Sequence, residues 1–133
     1  MIEHVHEPRN FLKSVKRLLK EGGLVYIDTP NISSYGAKIF KKYWRGIEAP
    51  RHLVLFNHSS LEHLLKECGF VDVEIKRRMD VQKGMYYSSK TLSTNSKQNV
   101  SIFSFINILL MRMPFIKTNK LEFITLTARK SIF

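Results

Sequence analysis

Apolar residues recur at helical spacing near the start of the chain: Phe11, Leu12, Val15, Leu18 and Leu19, with Lys13, Lys16, Arg17 and Lys20 between them. Pro8 suits the first turn of this helix, where its missing N–H leaves nothing unpaired. The cations near its end suit the negative pole of the helix dipole, and Gly22 and Gly23 supply a positive-φ stop. Leu24-Val25-Tyr26-Ile27 then runs without polar alternation, which predicts a strand covered on both faces. Pro30, with no ladder donor, ends it. Helix, glycine turn and buried strand make the αβ half of a βαβ unit. Of the strand that would precede it, at most Ile2 and Glu3 are present.

Beyond Pro30, Ser33 or Ser34 can cap a short helix running to about Lys42, and Trp44 to Asn57 reads as loop and extended chain. Ser59-Ser60-Leu61-Glu62 has the form of a capping box. It opens a helix with Leu61, Leu64, Leu65 and Cys68 on its apolar face and Gly69 as its stop. Phe70 to Lys76 alternates as a strand. Residues 78–100, rich in Ser, Thr, Asn, Lys and Gln, read as an insertion or mobile loop. Ile102 to Met113 reads as an apolar helix and Leu121 to Ala128 as the last strand. The order predicts an α/β domain.

Length and charge narrow the picture. A chain of 133 residues suits one domain or a large part of one, able to bury a core without disulfides. With a single cysteine, Cys68, no intrachain disulfide is possible, which fits a reducing cytosol. Residues 1–20 carry no apolar leader, so a cytoplasmic protein is expected. The apolar stretch from Ile102 to Ile116 is interrupted by Ser104, Asn107, Arg112 and Pro114 and is too short and polar to span a bilayer. The net charge of +11 favours anionic partners, or reflects a solvated basic surface. Much of the excess falls between Val81 and Leu121, where no acidic residue occurs.

Several features then stand in a telling order: Glu3-His4-Val5, Leu19-Lys20-Glu21-Gly22-Gly23, Thr29-Pro30-Asn31, Trp44, Pro50-Arg51-His52, Phe56, Gly69-Phe70 and Ala128-Arg129-Lys130. Together they resemble the C-terminal half of a class I S-adenosylmethionine-dependent methyltransferase of the bacterial type acting on small molecules. The likeness covers residues 1–77 closely and 120–130 loosely. It implies a partial Rossmann-like sheet of strands five, seven and six, with the seventh antiparallel between the other two. It implies a single truncated domain over 1–133, with 78–119 as a basic and apolar insertion. It also implies S-adenosylmethionine as cofactor and a small-molecule acceptor, methylated on oxygen or carbon. The departure from the family is large. No Gly-x-Gly-x-x-Gly opens a helix, and the acidic residue that would hold the cofactor ribose is missing. The isolated chain is therefore expected to be inactive. Its edge at 24–27, lacking strand four, invites self-association or a partner chain.

The resemblance also assigns roles. His4, after the fourth strand, and His52, in the loop after the fifth, are candidate catalytic bases, since imidazole titrates near neutral pH. A structural role for either is the alternative. Arg51 offers a fork for an anionic acceptor group, or a structural ion pair. Asn31 and Trp44 are candidates to line the acceptor pocket, with Trp44 alternatively an anchor for the loop. Glu3 is either structural or, with His4, a residue near the cofactor. No metal site is expected, because His4, His6 and Glu7 lack helical ligand spacing. The competing function is a non-catalytic basic module contacting RNA or an acidic membrane surface. Against RNA, no basic motif with interleaved aromatics is present.

Overall fold

A computed structural model describes residues 1–95 and 117–132. The expected helix from Ile102 to Met113 lies outside those residues. A 3-10 turn at Ile2–His4 leads into α1 (Pro8–Leu18), β1 (Leu24–Pro30), α2 (Tyr35–Phe40) and a 3-10 turn at Lys41–Tyr43. Then follow α3 (His58–Glu67), β2 (Phe70–Lys76), α4 (Gln82–Asn95), a 3-10 turn at Thr118–Lys120 and β3 (Phe123–Lys130).

The strands form one sheet in the order β1-β3-β2, with β3 antiparallel to both neighbours. This is the arrangement implied for strands five, seven and six. Ile27 lies opposite Leu126 and Thr29 opposite Ile124, so Ile124, Leu126 and Ala128 of β3 face the core. Leu12 of α1, Leu61 and Leu65 of α3, Phe56, Cys68 and Phe70 pack onto them. A second cluster joins Phe40, Trp44 and Tyr86, docking α4 onto α2 and the turn after it. No helix among the described residues is long and apolar enough to cross a membrane.

Several local details depart from the expectations. Leu18 is exposed at the edge of the α1 stripe, while Leu19 turns in toward the core. Gly22 carries the positive φ of the turn at +71°, whereas Gly23 closes it by donating its amide to the Lys20 carbonyl. The expectation that β1 is covered on both faces does not hold: Leu24 and Tyr26 are 51% and 59% exposed. Their side of the sheet carries Asp28, Thr125 and Thr127, and β1 has no second strand neighbour among the described residues.

The cap of α3 sits two residues earlier than Ser59. Asn57 is the N-cap, accepting from the Ser60 amide while Ser60 Oγ accepts from the Asn57 amide. β2 is interrupted by a bulge between Val71 and Glu74, where Asp72 has φ +50°. Residues 82–95, expected within a loop, are helical. The buried stripe of α4 is Gln82, Tyr86, Ser89 and Ser93, which has helical spacing but little hydrophobicity. Four of its hydroxyls donate along the helix itself: Ser89 to Met85 O, Thr91 to Tyr87 O, and Ser93 and Thr94 to Lys90 O.

Candidate functional site

Glu3 fixes one side of the site. Its side chain is buried and accepts from the Met1 ammonium at 2.7 Å and from the Thr29 hydroxyl at 3.0 Å. Thr29 is near the end of β1, so Glu3 and His4 stand at the carboxyl end of that strand, where ligands collect in open α/β sheets. Burial pushes the Glu3 carboxyl up, but hydrogen bonds from the ammonium, the backbone and Thr29 outweigh it and hold the group below its usual range.

The loop after the second 3-10 turn closes over this segment through its backbone. Leu53 and Val54 both donate their amides to the Glu3 carbonyl, at 2.7 and 3.2 Å. Glu48 organises the loop, accepting from Arg45 at 2.9 Å and Arg51 at 2.8 Å with the same oxygen. The chain thus brings together His4 and His52, with ring centroids 4.8 Å apart in an edge-on arrangement.

Both imidazoles are held by the same device. His4 Nδ1 lies 2.8 Å from the Arg51 carbonyl and His52 Nδ1 lies 2.7 Å from the Gly46 carbonyl. A carbonyl only accepts, so each Nδ1 must carry the proton, and in the neutral ring each Nε2 is left with a lone pair. The His52 side chain is 6% exposed and that of His4 is 39% exposed, so the pair reaches solvent through His4. Each Nε2 faces a carboxylate oxygen at 3.5 Å: His4 toward Glu3, His52 toward Glu48.

Of the other residues singled out by sequence, Arg51 contributes its carbonyl to His4, while its guanidinium is exposed and paired with Glu48. Asn31 and Trp44 do not line an opening. Asn31 is fully buried; it donates to Asn119 O and Leu121 O and accepts from the Ser33 amide, leaving no polar atom for an acceptor. Trp44 is 1% exposed and donates its indole N–H to Glu122 at 2.6 Å, the anchoring alternative. Glu122 was not legible as functional in the sequence, although a carboxylate beginning an apolar strand is a signal. Burial pushes its carboxyl up against the lowering effect of the bonds from Trp44 and Gly36.

Two further features stand apart. Lys13, Lys16, Arg17 and Lys130 line one cationic groove beside α1. His58, at the first turn of α3, is buried with neither ring nitrogen hydrogen-bonded among the described residues.

The described residues do not form a cradle for S-adenosylmethionine. The space a Cβ would take at Gly36 and Gly46 is filled by the Glu122 carboxylate and the Trp44 ring, while Gly22 and Gly69 serve turns. At Gly36 and Gly46 the backbone is packed against the chain's own side chains and is not open to a ligand.

The sheet order is the one that the resemblance implies for strands five, seven and six of a Rossmann-like methyltransferase. A model of a methyltransferase domain matches residues 1–75, more than half of the chain, and the chain belongs to that family. Among solved structures it is similar to phosphoethanolamine N-methyltransferase 2 from Haemonchus contortus in complex with S-adenosyl-L-methionine. The TM-score is 0.52 at 18% identity, covering 98% of this chain and 31% of that one. The complex of phosphoethanolamine N-methyltransferase 2 from the same organism with phosphomonomethylethanolamine and S-adenosylhomocysteine gives 0.51 at 19%, with the same coverage. At such identities the likeness is one of fold, and the chain spans 31% of the length of these relatives. No curated protein matches the sequence.

Proposed function

We propose that this chain forms the acceptor-side wall of an S-adenosylmethionine-dependent methyltransferase acting on oxygen or carbon of a small molecule. The observation that carries this reading is the pair His4 and His52, each fixed as the Nδ1–H tautomer beside the carboxyl end of β1. An Nε2 lone pair held in place is suited to take a proton from an acceptor hydroxyl, and holding the base in position supplies much of the rate. The exposed Arg51 guanidinium offers a fork for an anionic group on the acceptor.

The methyl donor needs a cradle that the described residues do not provide, so the isolated chain is expected not to turn over. Calorimetry with S-adenosylmethionine tests this. No heat of binding is expected from the chain alone, and tight one-to-one binding would refute the incomplete-pocket reading. The open edge of β1 at 24–27 is the place where a second polypeptide segment or a second copy would pair.

The competing reading, a basic module for RNA or an acidic membrane surface, draws support from the cationic groove beside α1. Of the expected basic stretch from Val81 to Leu121, residues 96–116 lie outside the described residues. Association with RNA or with anionic vesicles that weakens steeply between two salt concentrations would favour it; no association at low salt would remove it.

A further inference from the structure

Glu3, His4 and His52 each present one ligand atom, and these atoms lie within 4.8 Å of one another. We propose that the three residues form a binding site for a divalent transition-metal cation, ligated by Glu3 Oε1 and by Nε2 of both imidazoles. The proposal does not rest on the methyltransferase reading, since it concerns the binding of an ion and not a reaction.

Both Nδ1 atoms are committed as donors to carbonyls, so each ring in its neutral form turns an electron pair outward at Nε2. Those electron pairs look at carboxylate oxygens 3.5 Å away, Glu3 Oε1 and Glu48 Oε2. For His4 and Glu3, both members of the proposed site, acceptor facing acceptor is unfavourable unless something positive lies between them. A proton on Nε2 is one answer and a metal ion is the other.

Three observations favour the ion. A metal-bound histidine nearly always donates its other N–H to a carbonyl or carboxylate, which orients the ring; here both do. Glu3 is likewise held by a hydroxyl, from Thr29, which leaves Oε1 turned toward His4. Two of the three donors are buried, and the third opens to solvent, so the site has an approach. Two imidazoles with one carboxylate suit zinc or its neighbours rather than magnesium or calcium, which prefer all-oxygen shells.

The scale is also right. Donors on a tetrahedral zinc with bonds near 2.0–2.1 Å stand roughly 3.3 Å apart. Side-chain rotations of about an ångström would bring atoms now within 4.8 Å to that spacing. Three protein ligands leave at least one position open. With an acceptor oxygen there, the cation would lower the pKa of a hydroxyl, a task otherwise given to an imidazole base.

Zinc chloride titrated calorimetrically into the untagged, chelator-dialysed chain provides the test. One equivalent should bind. His4→Ala, His52→Ala and Glu3→Gln should each weaken binding more than about 10-fold, since even an outer-shell partner contributes that much. His63→Ala, on the exposed side of α3, should leave it unchanged. Should a variant fail to fold, cobalt(II) absorption of the unaltered chain decides instead, because nitrogen ligation at low coordination number changes the spectrum of the hydrated ion. A cobalt spectrum that stays that of the hydrated ion, or zinc uptake equal to that of the His4→Ala/His52→Ala double variant, would overturn the proposal. Neither readout involves methyl transfer, so this failure is distinct from failure of the proposed function.

Discussion

Trp44 and Glu122, separated by 78 residues, are joined by a buried 2.6 Å hydrogen bond from the indole N–H to the carboxylate. The other carboxylate oxygen takes the Gly36 amide at 2.8 Å, and the Glu122 amide donates to Gln82 Oε1 at 3.1 Å. One residue at the threshold of β3 therefore fastens α2, the segment after it and α4.

Replacing that carboxylate by an apolar group should be costly. In Glu122→Leu the Trp44 N–H and the Gly36 amide lose their acceptor in a dry site, at about 1–3 kcal/mol for each orphaned donor. Urea unfolding should show the loss, and emission from Trp44, the only tryptophan, should shift to the red. An unchanged urea midpoint together with unchanged emission would contradict the role given to Glu122.

His58 predicts a dependence on pH. Burial lowers its pKa below the ordinary 6.5, against a raising effect from Glu62. In the unfolded chain the ring takes a proton near its ordinary value, but in the folded chain it resists doing so. The unfolded state therefore binds more protons below about pH 6.5, and stability falls as the pH drops through that value. His58→Leu removes this component, so its midpoint should decline less than that of the parent between about pH 7.5 and pH 5. Parallel declines would show that His58 is not the group responsible.

The cap of α3 separates two neighbouring residues. Asn57→Ala removes the side chain that accepts the Ser60 amide and should cost about 1 kcal/mol. Ser59→Ala, exposed within the first turn, should change stability by less than about 0.5 kcal/mol. Chemical denaturation of the two variants side by side gives the answer; equal losses would place the cap at the wrong residue.

Much of the fold was legible because its elements announce themselves by period and punctuation. The stripe Phe11, Leu12, Val15 and Leu19, the turn at Gly22, the β1 run and the Gly69 stop all have local causes. α4 was hidden because its buried face is made of Gln82, Ser89 and Ser93 beside Tyr86, so helical period came without helical hydrophobicity. The cap was displaced because serines at 59 and 60 and a glutamate at 62 match the capping-box pattern, while Asn57 with Ser60 satisfies the same bonds. At the site, His4 and His52 could be named one by one. Their meeting depends on a loop that returns across 47 residues to put the Arg51 carbonyl on His4. Asn31 and Trp44 were attractive as polar and aromatic residues at a strand end and in a loop, but their partners Leu121 and Glu122 lie just before β3, too distant in sequence to be paired by pattern.

The placing of the last strand between the other two has a consequence for how the chain comes together during synthesis. β1 and β2 never touch as neighbours; each has β3 as its sheet partner. Every rung of the ladder therefore joins residues far apart in sequence, the arrangement that slows folding because long loops must close first. While a ribosome adds residues up to Lys120, two β-favouring segments wait with exposed backbones. They can associate with other chains until Phe123–Lys130 emerges to hold them apart.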